Sequence, residues 1–267
     1  MKIIAGISDK YRTILDEMHR AFSGPFSGPE VAARLHLPSD KTAFLMSYFV
    51  RKGWLSRIRR GLYILVPLGT VNPGEYKEHP WVVANRVFDP CYIGGWSAAE
   101  HWEYTDQIFN SIVVFTSRRF RNKKMLIQGT EYILRFVGNQ YLGKAKNVWL
   151  ENQKIQVSDP IQTVVDILDN PSLGGGIRLV AEILKSYFES EHRNDDVMAD
   201  YIDTKRNKSI YKRLGYLIDA MNIDADNLRN KCLERISAGY SLLDPAIVPK
   251  GAFVRKWNLR ANVEIKI

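Results

Sequence analysis

The chain has 267 residues, 45% hydrophobic and 11% aromatic, enough apolar material for one large or two moderate cores, which excludes disorder as the main state. Its 38 lysines and arginines against 29 carboxylates leave a formal charge of +9, a balance that favours a polyanionic partner. Two cysteines, Cys91 and Cys232, cannot build a disulfide framework, so a reducing compartment and unpaired thiols are expected.

The apolar run at residues 3–7 is too short for a signal-peptide core, and no later run approaches a membrane span. The expectation is a soluble cytoplasmic protein without a membrane partner. Residues 8–22 place Tyr11, Ile14, Leu15, Met18 and Phe22 on one face of a first helix. Ser27 followed by Glu30 has the spacing of a capping box, and Val31, Ala32 and Leu35 then form one apolar stripe. That helix stops before Pro38, because the residue ahead of a proline is pushed out of the α region. Ser39 or Asp40 can cap another helix over residues 41–52, which closes at Gly53. Residues 54–58 and 62–66 read as two short strands, with Arg59, Arg60 and Gly61 as their turn. The order predicts a winged helix-turn-helix unit over residues 1–68.

Between residues 41 and 61 the ionisable side chains are Lys41, Arg51, Lys52, Arg57, Arg59 and Arg60, with no carboxylate among them. A surface that neutralises DNA phosphates has this footprint. At the start of the second helix of the motif, free amides and the helix dipole favour phosphate, which puts Ser39, Lys41 and Thr42 nearest a major groove. Tyr48, Arg51 and Lys52 follow along the helix, and the wing arginines would lie on the backbone or in the minor groove. The same helix is apolar nearly all round, through Ala43, Phe44, Leu45, Met46, Tyr48, Phe49 and Val50. Part of that surface is expected to meet another domain or a second subunit, and the oligomeric state stays open.

Residues 69–79 read as a linker, and residues 80–267 as a larger α+β domain that begins with a helix near Pro80. A short strand then meets Gly94 and Gly95, after which Ser97 and Glu100 repeat the capping-box spacing. Ser97 and His101 stand one helical turn apart, the spacing of a nucleophile and its base, but no G-x-S-x-G elbow surrounds the serine and a cap explains it. Strands at residues 111–116, 124–127 and 131–137 suggest a small antiparallel sheet. Between the first two lies a second basic cluster, Arg118, Arg119, Arg121, Lys123 and Lys124 around Phe120. It reads either as another phosphate-contacting surface or as a solvated hairpin.

Ser158, Asp159 and Pro160 begin a helix with Ile161, Val164, Val165 and Leu168 inward, on which Asp166 and Asp169 are expected to be solvated or capping residues. The glycines at 174–176 lack the Lys-Ser/Thr of a phosphate loop and read as a plain loop before an amphipathic helix at 177–188. Further helices are predicted at 195–202, 209–221 and 226–236, and a closing strand at 253–267 with Trp257, Leu259 and Val263 on its apolar side. The histidines, at 19, 36, 79, 101 and 192, show no ligand spacing, so neither a metal nor another cofactor is expected. Nor does any carboxylate or histidine cluster point to an enzyme.

Several motifs in this order resemble the AbiEi-type antitoxins. They are R-x-R-R-G-x-Y-x-L at 57–65, Y-I-G-G-W-S-A-x-E at 92–100, the basic segment after a strand at 116–124, S-D-P-x-x-T-V-V-D-I-L-D at 158–169 ahead of Leu173 and the glycine run, and W-x-L-x-x-N-V at 257–263. The resemblance spans nearly the whole chain and implies a component of a bacterial type IV toxin-antitoxin system associated with phage defence. It implies that the winged helix binds inverted repeats in its own promoter and represses the operon. The C-terminal domain would counter a nucleotidyltransferase toxin, without needing a stable complex with it. Phe44, Leu45, Tyr48 and Phe49 depart from the family, whose members often carry polar residues there. A ligand-responsive winged-helix repressor with a C-terminal sensing domain is the alternative.

Overall fold

Residues 8–67 and 69–265 are described in the structure, a computed structural model; the 3–7 run, position 68 and the last two residues of the expected closing strand lie outside them. The amphipathic pattern after Ser8 forms α1 (Asp9–Ala21). Strand β1 (Phe26–Ser27), only two residues long and below what alternation can reveal, leads into α2 (Gly28–Leu35). Its capping box is formed, since Glu30 Oε2 accepts from the Ser27 amide at 2.7 Å and from the Ser27 hydroxyl at 2.6 Å. The next helix, α3 (Ser39–Arg51), already includes Ser39 and Asp40, so neither is its cap; Pro38 flanks it and takes the Thr42 hydroxyl on its carbonyl at 3.0 Å. Gly53, at φ +73, then lets the chain turn back, with Gly53 N–H donating to Val50 O and Trp54 N–H to Phe49 O, both at 3.0 Å.

The wing is β2 (Leu55–Arg59) and β3 (Leu62–Leu65), and β1 pairs on the free side of β3 to make an antiparallel sheet of order β1-β3-β2. Its two faces have different partners. Leu55 and Leu65 close a core with Met18, Phe26, Val31, Leu45, Met46 and Phe49. Ile58, Leu62 and Ile64 instead pack with Val82, Val83, Ala84, Val87 and Phe88 of α4 (Pro80–Phe88). The wing is therefore a wall shared by the winged helix and the region that follows. Ser56 Oγ donates to Tyr76 O at 2.9 Å, and Arg86 of α4 forms an ion pair with Glu30.

Burial pushes the Glu30 carboxyl up, but hydrogen bonds from Ser27 and Arg86 outweigh it and hold the group below its ordinary value. The sign follows: its contribution is complete above the unfolded carboxylate pKa and is lost as pH falls through the lowered folded value. Glu30→Gln is expected to lower the melting temperature slightly at neutral pH and by progressively less as the pH is taken down through the acid range.

After α4 come β4 (Cys91–Ile93), α5 (Gly95–His101), β5 (Ser111–Thr116), β6 (Lys124–Ile127), β7 (Thr130–Phe136), β8 (Lys146–Leu150) and β9 (Gln153–Val157). The strands form one six-stranded sheet of order β6-β7-β5-β4-β9-β8. It is larger than the small antiparallel sheet expected from three strands, and it is mixed, because β5 runs parallel to β7 and β4 parallel to β9. Pairing direction depends on which strands become neighbours, and β6 returns along the outside of β7 instead of entering between β7 and β5.

Helix α6 (Pro160–Asp169) begins on Asp159, whose carboxylate accepts from the Gln162 amide at 2.8 Å. With α7 (Ile177–Glu189), α8 (Asp195–Thr204), α9 (Ser209–Ala220) and α10 (Asp226–Arg235) it builds the largest apolar cluster. Because neighbours surround α6, Gln162, Thr163 and Asp166 are buried along with its apolar face. Asp166 is thus not the solvated residue expected: Lys205 Nζ donates to it at 2.6 Å and the Tyr92 hydroxyl at 2.8 Å. Burial raises its carboxyl above the ordinary value, with the Lys205 charge acting the other way. Asp169 accepts from Asn207 Nδ2 at 2.7 Å.

The tail is not one strand. It forms a second small sheet of β10 (Ser241–Leu242), β11 (Ala252–Val254) and β12 (Leu259–Ala261), in the order β10-β12-β11. A turn at residues 255–258 lets Trp257 sit against α9, 1% exposed, with its indole nitrogen donating to Asp219 at 2.8 Å. Gly215 makes room for it, since a Cβ there would lie 2.1 Å from the indole ring.

Candidate nucleic-acid interface

Helix α3 has one open side. Ser39, Lys41, Ala43, Phe44, Ser47 and Arg51 are exposed, whereas Leu45, Met46 and Phe49 face the core. Thr42 falls on the inner side, 2% exposed with its hydroxyl bonded to Pro38, and does not reach this surface. Tyr48 is half-buried; its ring lies 4.9 Å from that of Tyr11 and 5.9 Å from that of Trp54, and Lys52 Nζ is 5.7 Å from its centroid. It supports the helix from the side. In its place Phe44, 63% exposed, projects from the middle of the open face. Helical periodicity alone could have separated Thr42 from Ala43, Phe44 and Ser47, because residues 39, 43, 47 and 51 share a stripe.

The wing presents Arg57, Arg59 and Arg60 to solvent. A register irregularity between Arg57 and Arg59, followed by Gly61 at φ +77, shapes the tip. Arg57 lies 6.0 Å from the Tyr63 ring centroid. Among the described residues none of Lys41, Arg51, Lys52, Arg57, Arg59 and Arg60 forms an ion pair, so their charge is available to an incoming polyanion.

The second basic cluster divides into two kinds of residue. Arg118 Nη1 donates to Asp89 O at 3.3 Å and its guanidinium rests on Phe120 at 5.2 Å, while Lys124 pairs with Glu131 at 3.2 Å. Arg119 stacks on Phe136 at 4.4 Å, and Arg121 and Lys123 stand exposed. Near Arg118 a polar cleft of about 610 Å³ opens between the α1–β1 loop and α4, lined by Phe22, Gly24, Asn85, Arg86, Asp89 and Gln153.

The catalytic-looking residues have structural work. Ser97 lies within α5, with Gly94 as the flanking residue, so it is not a cap; its hydroxyl accepts from the Val113 amide at 3.1 Å. His101 packs against Trp81 and Trp102, and burial lowers its pKa. Ser97→Ala is expected to cost about 1–3 kcal/mol by orphaning that amide, read as a drop in the urea midpoint. The glycine run does not cradle an external anion: the first amide of α7, Ile177 N–H, donates to the Asp244 carboxylate at 2.9 Å. Cys91 and Cys232 are buried free thiols, each pushed up to about 12 by burial. Among the described residues no three histidine, cysteine or carboxylate side chains are grouped to hold a metal, and no helix is long and apolar enough to cross a membrane.

Residues 14–66 match the family described as transcriptional regulator, AbiEi antitoxin. The matched stretch runs from within α1 to just past β3 and so takes in the winged helix. Among solved structures, the RV2827C protein from Mycobacterium tuberculosis is similar in fold, with a TM-score of 0.67 at 15% identity over 95% of this chain and 92% of that one. No curated protein matches the chain.

Proposed function

With an AbiEi regulator unit at residues 14–66 as the premise, we propose that the protein is an antitoxin that represses its own operon and counters a nucleotidyltransferase toxin, in a type IV system associated with phage defence. The observation that carries the DNA part is the pair of adjoining surfaces free of ion pairs, one along the open side of α3 and one at the wing tip. Lys41 and Arg51 with the wing arginines would bind the phosphates of operator DNA, and Ser39, Ala43, Phe44 and Ser47 would face base edges. Phe44 suits the methyl of a thymine better than a polar edge. Ile58, Leu62 and Ile64 pack with α4 behind the wing, and this backing would keep its tip oriented.

The test compares binding to the gene's own upstream duplex with binding to unrelated duplex at moderate salt. Preference for the upstream region by about 10³ or more supports operator recognition, and equal binding refutes it. For antitoxicity, all five residues of the second cluster are exposed, and Arg119, Arg121 and Lys123, which among the described residues form no ion pair, could compete for an RNA or nucleotide substrate of the toxin. Replacing all five of Arg118, Arg119, Arg121, Lys123 and Lys124 by alanine is expected to abolish rescue of cells expressing the neighbouring toxin. Full rescue would sink this part. The cleft beside Arg86 favours the second reading, a ligand-responsive repressor, because it is lined by both the winged-helix region and α4. An effector that releases operator DNA and loses its action in Asn85→Ala would support it.

A further inference from the structure

Among the described residues the outer face of the C-terminal sheet is open to water at Tyr240 and Phe253, and its chemistry is unlike that of the winged helix. Strand register puts Leu242, Arg260 and Phe253 in one cross-strand row. Leu259 and Val254 point the other way, into the helical core. Tyr240, two residues before Leu242, joins the open side, and its ring meets Phe253 edge-on with centroids 4.8 Å apart. The Arg260 guanidinium lies 5.1 Å from the Phe253 centroid, positioned by an Nε hydrogen bond to Gly251 O at 3.3 Å. Both rings are open to water, Tyr240 at 50% and Phe253 at 57%.

The charge along this stretch of chain is mostly basic. From residue 240 to 262 the cations are Lys250, Arg255, Lys256 and Arg260, and the sole carboxylate is Asp244. Asp244 is 3% exposed and committed to the amides of Ile177 and Ala246. Lys256 is paired with Asp219, which leaves Lys250, Arg255 and Arg260 to face solvent chemistry.

We propose that this face binds single-stranded nucleic acid, with bases stacking on Tyr240 and Phe253 and phosphates against Lys250, Arg255 and Arg260. Every base has a π face, so two open rings accept a strand of any sequence, and a guanidinium beside one ring adds attraction. A duplex hides its base faces, which makes this ligand distinct from that of the winged helix. An acidic peptide would answer the charge but would not stack on the rings.

The experiment uses the full chain and fluorescein-labelled oligouridylate and oligothymidylate of about 12 nucleotides, followed by anisotropy, with the upstream duplex in parallel. At least one strand should bind, the tighter of the two identifying RNA or DNA. Tyr240→Ala and Phe253→Ala should each weaken binding by about five-fold or more, Phe253→Tyr should retain it, and none should change duplex affinity. The emission added by Phe253→Trp should be quenched when the strand is present. The proposal is overturned if both alanine variants stay within about two-fold of wild type, if neither strand binds, or if the added tryptophan is not quenched while oligoglutamate displaces the strand. Failure of operator recognition would leave all these readings unchanged.

Discussion

Replacing Arg57, Arg59 and Arg60 together by alanine is expected to eliminate measurable operator binding at physiological salt while leaving the fold intact. Three phosphate contacts release three counterions, so the plot of log affinity against log salt should become shallower by about 2.7. All three side chains are exposed and outside any ion pair among the described residues, so the melting temperature should hardly move. Their orientation comes from the opposite side of the hairpin, where Ile58 and Leu62 are buried against α4. Unchanged affinity and salt slope in the triple variant would exclude the wing from the interface. The companion change Phe44→Ala should act differently: a lost base contact costs about 1–3 kcal/mol at the affected base pair and leaves the salt slope in place.

Asp166→Ala should produce a large loss of stability. It would strand the Lys205 ammonium, which is 8% exposed, and remove the acceptor of the buried Tyr92 hydroxyl. Breaking one partner of a buried pair costs about 3–5 kcal/mol, which in a chain of this size lowers the melting temperature by on the order of 10 °C. Removing both charges with Asp166→Leu and Lys205→Met should recover the part of that loss that belongs to the unpaired charge, leaving the cost of the Tyr92 hydroxyl without its acceptor. Calorimetry on the single and double variants decides it; a single variant within about 1 kcal/mol of wild type would mean that the site rehydrates when opened.

The apolar character of α3 has two separate causes. Leu45, Met46 and Phe49 complete the winged-helix core, and Tyr48 braces α3 against Tyr11 and Trp54. Phe44 alone among its large apolar residues stands well clear of the core. Most of the polarity that seemed missing from a reading helix is therefore missing from its buried side.

Local signals in the sequence determined much of this protein. The Ser27–Glu30 box, the stop at Pro38, Gly53 after α3 and the Arg60-Gly61 turn each depend on atoms within a few residues of one another, and all are where the pattern puts them. Helices α6 to α10 were equally legible, because a 3.6-residue stripe marks a face whatever it later meets. The β8–β9 hairpin was not among the expected strands, because lysines and asparagines dilute the alternation of Val148 with Leu150 and of Ile155 with Val157.

Only the tertiary structure decided the rest, and the reason is the same each time: partners distant in the chain. Ser97 resembles a cap until Val113 N–H is brought to it, and Asp166 resembles a surface carboxylate until Tyr92 and Lys205 close over it. Parallel pairing of β5 with β7 depends on the path of β6, which no local pattern encodes. The wing's second face, three apolar residues that look like surplus in a small DNA-binding unit, acquires its purpose only when α4 packs on it.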